Sequence, residues 1–577
     1  MFDKDKIKYD FVLIGGGPSS FALAHHLVDL AGISKKKFSM AIIEKGKEFG
    51  SHIVSGAVSN LRVIEKLFPD YKNSDFPMEG VCTESYFSVL GNRKKWDVPE
   101  SLLPDGLKKK DCAILTLSHV VFWMYKKLKE KLLKTPNVEI DFFPGFSAHK
   151  IIFEEDKVVG VQVIENTLPD DYDNNIYAKV VCFGDKGFIS RDLIDYYKLR
   201  ENPQIWSVGV KEVWQLSPDK DFSGKVWHTM GLPLFDGSFG GGFVYGMKDH
   251  KLTVGMVISL DSENPNINPQ QKLQGYKKHP WIQEMLKDGK LLKYGAAVLP
   301  EGGYYSLPKK FGVEGVLLLG DALGVLDIER LSGIDKAMES GFQAAEVLHE
   351  ALIINDFSEG QLSTYKTRLM ETFVGKELKL GRYFRYAWQE NRRLLDSYLP
   401  KIMDSIDNVN AYIGFLLIGL KNPIRAIADA FRLKKLISGG DIGPIKYKMD
   451  YEHIVPNFNY DKKLKTNGYV KETIYSRADA VFYAKTKYHE GNKHIDEFSS
   501  DVCVKCIKTY DSLGKNTPCV SDCTAEVHRV DITNGIRVHG MSLENCVQCR
   551  TCEIVCPEVN LRVRPTQEGS GPDFIGL

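Results

Sequence analysis

The sequence predicts a mixed α/β fold in which a Rossmann-like domain is followed by an antiparallel sheet and a small cysteine-rich domain. Three observations support this prediction: a strand–glycine turn–helix pattern at the N-terminus, a second buried strand ending in Gly-Asp near residue 320, and eight of the eleven cysteines within the last seventy-five residues. A chain of 577 residues has room for about two to four domains.

The N-terminal pattern is typical of a dinucleotide-binding unit. The apolar run 11–14 is followed at once by GGGPSS at 15–20, and apolar residues then recur at helical spacing. Gly15 permits the tight turn, and Gly17 lets the backbone approach a pyrophosphate at the helix N-terminus. Ser20 replaces the third glycine, which we expect to loosen the packing of helix on strand slightly. The predicted cofactor contacts in this turn are Gly15, Gly17, Pro18, Ser19 and Ser20.

A second apolar run, residues 38–43, ends in Glu44. A carboxylate at the end of this strand can accept hydrogen bonds from the ribose hydroxyls of a dinucleotide. Lys45 follows directly and is assigned to the same site. A glycine turn alone would be weak support, but strand, turn, helix and terminal acid in this order predict a bound dinucleotide.

The chain near residue 320 favours FAD over NAD. The buried strand 315–319 runs into Gly320 and Asp321, and Gly333 begins a helix twelve residues after Asp321. The Asp321 carboxylate can hold the ribityl chain, and the helix N-terminus can face the pyrimidine end of the flavin. The FAD-binding domain is therefore predicted to be discontinuous and glutathione-reductase-like.

The C-terminal cysteines form two runs, Cys-x2-Cys-x12-Cys-x3-Cys from residue 503 and Cys-x2-Cys-x2-Cys-x3-Cys-Pro from residue 546. The second run is typical of bacterial ferredoxins, in which the cysteine before proline binds the other [4Fe–4S] cluster of the domain. The spacing therefore predicts a ferredoxin-like domain with two sets of four ligands: Cys523, Cys546, Cys549 and Cys552 for cluster A, and Cys503, Cys506, Cys519 and Cys556 for cluster B.

Three other interpretations of these cysteines stay open. Disulfides are disfavoured because no secretory signal precedes them and the rest of the chain holds only three cysteines. Zinc could bind the two Cys-x2-Cys pairs, although the third cysteine and the Cys-Pro step fit iron–sulfur better. A single cluster is the more serious alternative, because the twelve-residue gap after Cys506 exceeds what the compact pattern requires.

Short motifs along the chain carry a family resemblance. They read SGA at 55–57, HTMGLPL at 228–234, GGGFVY at 240–245, EGG at 301–303 and KAMESG at 336–341. Together with the cysteines, this collinear set resembles electron transfer flavoprotein–ubiquinone oxidoreductases and their flavoprotein and ferredoxin relatives from nitrogen fixation. The resemblance covers nearly the whole length of the chain.

The resemblance implies FAD, a [4Fe–4S] cluster on the cluster A cysteines, and electron transfer from reduced electron transfer flavoprotein to quinone at a membrane. It places Ser55 and Gly56 at the FAD. It also makes the glycine-rich strand edge part of the quinone pocket, because glycines let a flat ring approach the backbone. An ordinary hairpin loop is the alternative for that edge. The implied quinone contacts are Gly240, Gly241, Phe243 and Tyr245.

Two departures from the single-cluster mitochondrial type stand out. Cys556 occupies a position where that type has an acid, so this chain keeps all four cluster B cysteines. The Ala-Glu-Gly motif of the flavin domain reads Cys182-Phe183-Gly184, which leaves the role of its glutamate unsupported. The tail therefore resembles the two-cluster relatives as much as the quinone reductases.

The expected domains follow from these assignments. An apolar run at 411–420 and the basic helix after it suit insertion into one leaflet, with a buried core helix as the alternative. The segments are 1–85, 115–200 and 310–355 for FAD binding, 86–114 and 201–309 for the quinone or substrate domain, 356–440 for a helical membrane-associating region, 441–500 as a connection and 501–577 for the ferredoxin-like domain.

Composition and the N-terminal residues limit which partners and which cellular location we expect. Lys plus Arg, 76, nearly equals Asp plus Glu, 75, and no basic stripe with interleaved aromatics occurs, so nucleic acid is not an expected partner. No apolar run reaches the roughly 20 residues of a transmembrane helix. The N-terminus has neither the apolar core of a signal peptide nor the look of a transit peptide. We expect a peripheral, monotopic protein on the cytoplasmic face of a prokaryotic inner membrane.

The predicted function is oxidoreduction by FAD and iron–sulfur centres, with electron transfer flavoprotein as donor and membrane quinone as acceptor. The sequence has no catalytic triad or paired carboxylates, so the chemistry is assigned to the cofactors and no catalytic side chain is named. One alternative is an electron-transfer subunit of a larger flavoprotein complex that exchanges electrons with a low-potential ferredoxin-type carrier. Another is an FAD-dependent reductase acting directly on an organic substrate.

Overall fold

The computed structural model describes residues 7–164, 174–234, 238–262, 266–382, 384–385, 474–489, 493–566 and 569–577. The apolar run 411–420, the basic helix after it and residues 441–473 lie outside these ranges, so the predictions for them stay predictions. The described strands are β1 Ile7–Ile14, β2 Phe38–Glu44, β3 Val58–Ser59, β4 Met78–Val81, β5 Glu84–Leu90, β6 Lys95–Asp97, β7 Ala113–Leu115, β8 Val138–Pro144, β9 Ser147–Glu154, β10 Lys157–Ile164, β11 Asn175–Phe183, β12 Trp206–Gln215, β13 Lys225–Gly231, β14 Gly240–Met247, β15 Lys251–Ser259, β16 Lys290–Pro300, β17 Gly312–Val313, β18 Val316–Leu318, β19 Ile495–Glu497, β20 His528–Thr533, β21 Ile536–Met541 and β22 Leu561–Val563.

The described helices are α1 Pro18–Ser34, α2 Arg62–Leu67, α3 Leu117–Leu132, α4 Ser190–Tyr196, α5 Pro269–Lys277, α6 Pro280–Leu286, α7 Gly320–Leu323, α8 Ile334–Ile354, α9 Glu359–Glu371, α10 Phe373–Gly381, α11 Ala480–Ala484, α12 Ser500–Ser512, α13 Pro518–Ser521 and α14 Thr551–Val555. Helices α9 and α10 confirm the predicted helical region as far as residue 381. None of the helices in the described ranges combines the length and apolar character needed to cross a bilayer.

The first sheet has eight strands and forms the nucleotide-binding half of the fold. Its parallel centre has the order β18, β11, β1, β2, β8, while β17, β10 and β9 join antiparallel. Phe11–Leu13 of the central strand are fully buried, because helices cover a parallel sheet on its faces. The predicted order of strand, glycine turn, helix and strand is confirmed. The return of the chain near residue 320 is confirmed as well, since β18 lies beside β11.

Helix α8 packs directly on the beginning of α1. A Cβ at Gly341 of α8 would lie 2.0 Å from the carbonyl oxygen of Ser19, so glycine is required for this approach. Ser20, at the position of the missing third glycine, is buried, and its hydroxyl donates to the carbonyl oxygen of Gly15 at 2.6 Å. The expected loosening is therefore offset: the serine ties the turn together, and the close-packing glycine lies on α8.

The second sheet has seven strands in the order β16, β12, β15, β14, β13, β5, β6. The strands between residues 205 and 310 pair antiparallel with one another, as predicted, but the sheet also includes β5, which runs parallel to β13. This strand comes from residues 84–90, far upstream, and a crossover through the first sheet separates the two partners in sequence. Strand β5 also begins two residues before the expected domain boundary at 85/86.

The cysteine-rich part contains the antiparallel pair β19–β22, the hairpin β20–β21 and three short helices. It packs against the edge of the second sheet, where the backbone N–H of Val298 donates to the carbonyl oxygen of Cys549 at 3.0 Å. The chain end covers the same strand. A Cβ at Gly295 would lie 2.3 Å from Leu577 and 3.0 Å from Phe574, so glycine makes room for the C-terminus.

We expect Gly341→Val to destabilise the protein, because the added side chain forces α8 away from α1, and overpacking of a core costs about 1–3 kcal/mol. The measurement is the urea midpoint of unfolding followed by circular dichroism. Gly360→Ala on α9 is the matched control, since its Cβ would meet only the Ser358 hydroxyl, at 3.6 Å. An unchanged midpoint for Gly341→Val would contradict the close contact.

Candidate functional site

A cavity of about 400 Å³ has walls from both large sheets and contains most of the residues that the sequence singled out. Ser20 and Gly320 lie behind its wall, where the Gly320 N–H donates to the Ser340 hydroxyl at 2.9 Å. The other predicted FAD contacts all line it: Gly15, Gly17, Pro18, Ser19, Glu44, Lys45, Ser55, Gly56, Asp321 and Gly333. The four predicted quinone contacts line it too: Gly240, Gly241, Phe243 and Tyr245.

The turn before α1 leaves open space in front of a helix N-terminus. Gly15 has a φ of +89°, a left-handed conformation that favours glycine. Gly17 is the N-cap of α1, and a Cβ there would meet no protein atom within 4 Å. Because the first N–H groups of a helix lack intrahelical partners, this opening suits an anionic group such as a pyrophosphate.

Glu44 fixes the opposite side of the turn. One carboxylate oxygen accepts from the N–H of Gly16 at 2.9 Å, and the other accepts from the N–H of Gly46 at 2.7 Å. Burial raises the pKa of Glu44 despite these two bonds. Each oxygen keeps a second lone pair, so the carboxylate can still accept a hydroxyl from a ligand while it holds both backbone segments.

Asp321 lies in the cavity wall at the start of α7, and Gly333 lies there as the N-cap of α8. Burial raises the pKa of Asp321, an effect that Lys186 opposes and Asp185 reinforces. The structure thus brings together the two ends of the discontinuous motif, which are about three hundred residues apart in sequence.

Several polar side chains of this cavity were not predicted from the sequence, among them Lys211, Asp185 and Glu301. Lys211 on β12 is buried and donates from Nζ to the carbonyl oxygen of Ser55 at 2.8 Å; burial lowers its pKa to about 7. Asp185 follows β11 and accepts from the N–H of Ile189 at 3.0 Å. Glu301 belongs to the EGG motif, which by itself predicts no role for this side chain. Lys211 alone had a signal in the sequence, because a lysine stands there among the alternating apolar residues of β12.

The glycines of β14 have a structural reason that does not depend on any ligand. A Cβ at Gly241 would lie 2.5 Å from the carbonyl oxygen of Thr229, and one at Gly242 would lie 2.4 Å from the ring of Tyr276. On the cavity side, Tyr245 stacks with Phe243 at 5.0 Å between ring centroids, and its hydroxyl is 3.0 Å from Nε2 of His228. This wall is aromatic and flat, with little steric bulk at the strand edge.

The eight C-terminal cysteines separate in space as their spacing predicts. The first group, Cys523, Cys546, Cys549 and Cys552, is buried at 6–8% exposure. Burial raises the pKa of Cys546 to about 12, and the nearby Cys549 and Cys523 reinforce this. The second group lines one small cavity of about 20 Å³: Cys503, Cys506, Cys519 and Cys556. Burial also raises the pKa of Cys519 to about 12, reinforced by the other three thiols of this cavity.

Histidines lie beside the second cysteine group. Nδ1 of His528 is 2.9 Å from Nε2 of His539, and Nδ1 of His539 contacts Glu497. Donor atoms of Cys519, His528 and His539 all lie within 4.8 Å of one another, so a metal ion could also use imidazole here. Such a set would share Cys519 with the four-thiol group and would therefore compete with it.

Comparison with known proteins agrees with this architecture. The family model described as "ETF-QO, ubiquinone-binding" matches residues 206–299, which contain β12 to β16 up to Leu299. Electron transfer flavoprotein-ubiquinone oxidoreductase from Pseudomonas aeruginosa is 27% identical over 99% of both chains. The mitochondrial protein of that name from Bos taurus is 28% identical over 98% of this chain and 89% of its own. The chain belongs to the electron transfer flavoprotein–ubiquinone oxidoreductase family.

A solved structure shows the same fold at greater distance. The geranylgeranyl bacteriochlorophyll reductase-like protein from Thermoplasma acidophilum superposes with a TM-score of 0.54 at 17% identity, covering 75% of this chain and all of its own. At that identity the likeness extends to the fold alone, a mixed α/β architecture.

Within this family member, one loop connects the buried cysteines to the cavity. Gln548 lies in the cavity wall, and its side-chain oxygen accepts from Nζ of Lys45 at 2.6 Å. The backbone N–H of Gln548 donates to the sulfur of Cys546 at 3.3 Å. Two hydrogen bonds therefore separate the first cysteine group from the predicted dinucleotide site.

We expect Glu44→Ala to lower the free energy of unfolding by about 1–3 kcal/mol, because it leaves two buried backbone N–H groups without an acceptor. Glu44→Gln should have an intermediate effect, since its amide oxygen can replace only one of the two acceptors. The measurement is urea unfolding together with the flavin content after gel filtration. Glu48→Ala, an exposed glutamate four residues on, is the control. Equal effects at the two positions would contradict the role of Glu44.

Proposed function

We propose that the protein takes electrons from reduced electron transfer flavoprotein and passes them to a membrane quinone. The observation that carries this proposal is one continuous cavity that joins the dinucleotide motif to the aromatic strand edge and includes the loop of the buried cysteines in its wall. The names of the full-length relatives support the same donor and acceptor. The expected domain division, from the discontinuous FAD domain to the ferredoxin-like tail, is part of the proposal.

The dinucleotide part of the cavity fits FAD. Gly15, Gly17, Pro18 and Ser19 would surround the pyrophosphate at the N-terminus of α1, because space is open there. Glu44 would accept the ribose hydroxyls, with Lys45 beside it. Ser55, Gly56, Asp321 and Gly333 would contact the ribityl chain and the ring system, while Ser20 and Gly320 shape the two turns from behind.

Each cysteine group fits a [4Fe–4S] cluster. Bare thiolates at buried positions are costly, as the raised pKa values of Cys546 and Cys519 indicate, whereas a bound metal cluster takes thiolates as ligands. Bound FAD can collect two electrons from clusters that carry one at a time. Cys523, Cys546, Cys549 and Cys552 would hold cluster A. Cys503, Cys506, Cys519 and Cys556 would hold cluster B.

Gly240, Gly241, Phe243 and Tyr245 would form the quinone site. A planar apolar ring gains from stacking on aromatic side chains and from burial, and the strand edge offers backbone groups as hydrogen-bond partners. The peripheral, monotopic contact with the cytoplasmic face of a prokaryotic inner membrane, expected from the segment 411–435, is proposed together with this site, because a lipid-soluble quinone has to enter from the bilayer.

The test of function is anaerobic mixing of the purified protein with reduced electron transfer flavoprotein and a short-chain quinone. We expect the donor to be oxidised and quinol to form with a stoichiometry of about one quinol per two electrons. Omitting the protein and replacing it with the heat-treated protein are the controls. Reaction of the flavin with organic substrates in the absence of any protein donor, without quinone reduction, would contradict the proposal.

Metal analysis tests the two clusters. We expect about eight iron and eight sulfide per FAD in anaerobically purified protein, four of each per cluster. Cys549→Ser and Cys506→Ser should each lose about half of the iron, and only Cys549→Ser should abolish electron transfer into the cavity. Cys112→Ser, outside both groups, is the control. About four iron per FAD in the wild type would contradict the assignment of cluster B. Zinc without iron would overturn the mechanism.

A further inference from the structure

A second, small cavity lies beside the large one, and the two share Glu301 in their walls. The small cavity has a volume of about 10 Å³, which is about the room needed by one water molecule. Polar residues line it, among them Asp327 and Arg385. Glu301 therefore connects an apolar substrate space with a polar one.

Glu301 is buried, with 5% of its surface exposed, and it lines the same cavity as the glycine-rich strand edge. Its carboxylate accepts from the Ser207 hydroxyl, and one oxygen is 3.6 Å from the guanidinium of Arg385. Arg385 also bonds Asp261 at 2.5 Å and lies over the ring of Phe239, 4.7 Å from its centroid. Phe239 directly precedes the predicted quinone contact Gly240.

A series of carboxylates leads from the small cavity toward the surface. Two of these carboxylates lie close together beside Gly381. A Cβ at Gly381 would lie 3.1 Å from Oδ1 of Asp327 and 3.0 Å from Oε2 of Glu329. Asp327 is buried, whereas 17% of the Glu329 side chain is exposed. Lys336 lies 3.9 Å from Asp327 and 2.9 Å from Glu377, which is also partly exposed. The outer end of this series is thus partly exposed to solvent, whereas Glu301 is buried.

We propose that Glu301 is the proton donor for quinone reduction and that Asp327 and Glu329 resupply it through the small cavity. The inference rests on the proposed function. Quinone takes up two electrons, supplied by reduced electron transfer flavoprotein, and two protons to form quinol. In each proton step the O–H bond of the Glu301 carboxylic acid breaks and an O–H bond forms on a quinone oxygen. The carboxylate then regains a proton from the side of Asp327.

The electrostatic surroundings of these acids agree with that role. Burial raises the pKa of Glu301, and Asp261 raises it further, while Arg385 and Ser207 oppose the shift. Burial also raises the pKa of Asp327 and of Glu329. A raised pKa keeps the carboxylic acid form present at a higher pH, and a general acid works best when its pKa lies near the working pH.

The decisive experiment compares Glu301→Gln with the wild type at two acceptors. Steady-state reduction of quinone should fall roughly 100-fold, within the range for loss of a general acid. Reduction of ferricenium, which takes one electron and no proton, should be unchanged, as should FAD and iron content. Glu301→Asp should restore part of the quinone rate. The infrared C=O band of buried carboxylic acids should lose one component in Glu301→Gln relative to the wild type.

The pH profile gives a second readout. In the wild type, quinone reduction should fall as pH rises through the pKa of Glu301, because the donor loses its proton, and Glu301→Gln should lack this limb. Asp327→Asn should slow quinone reduction without affecting ferricenium. Glu79→Gln is the matched control: Glu79 is buried at 7% exposure and accepts from the Thr116 hydroxyl at 2.8 Å, but it lines neither cavity.

The outcomes separate the inference from the function on which it rests. Undiminished quinone reduction by Glu301→Gln would overturn the inference and leave the proposed function intact. An equal loss at quinone and at ferricenium would overturn it too, because the side chain would then act on structure or electron transfer. A wild-type protein that oxidises the donor but reduces no quinone would instead refute the proposed function.

Discussion

The hydrogen bond from the N–H of Val298 to the carbonyl oxygen of Cys549 joins the cysteine-rich part to the edge of the second sheet. An edge strand exposes unpaired backbone groups, and here the cysteine loop pairs with one of them. Because Gly295 admits the side chain of Leu577 on the same strand, the chain end is held there as well. Gln548, one residue before Cys549, lies in the cavity wall.

A buried charged group lies where the segment around Tyr475 contacts the second sheet. Glu212 on β12 lies 2.9 Å from Nζ of Lys277 and accepts from the hydroxyl of Tyr475 at 2.7 Å and from the indole N–H of Trp214 at 2.7 Å. Buried ion pairs add little net stability, but removing one partner is costly. The group therefore selects one position for the segment around Tyr475, which packs between the second sheet and the cysteine-rich part.

The sequence was informative where local patterns determine local structure. The turn at 15–20, the acid at the end of β2 and the grouping of the cysteines all follow from spacing, and the structure brings these residues together. It was uninformative where partners are distant. The parallel pairing of β5 with β13, the glycine at 341 and the buried Lys211 depend on contacts between segments far apart, so no local pattern predicts them.

The two cysteine groups differ in how deeply they are buried. The four cysteines around Gln548 are nearly inaccessible, whereas Cys503, Cys506, Cys519 and Cys556 are partly exposed, with Phe498 and Val559 at the surface nearby. If both groups hold clusters as proposed, cluster B lies nearer the surface and cluster A lies nearer the flavin. Reduction potentials of such clusters vary with solvent exposure and hydrogen bonds to sulfur, so two similar ligand sets in these different surroundings need not have the same potential.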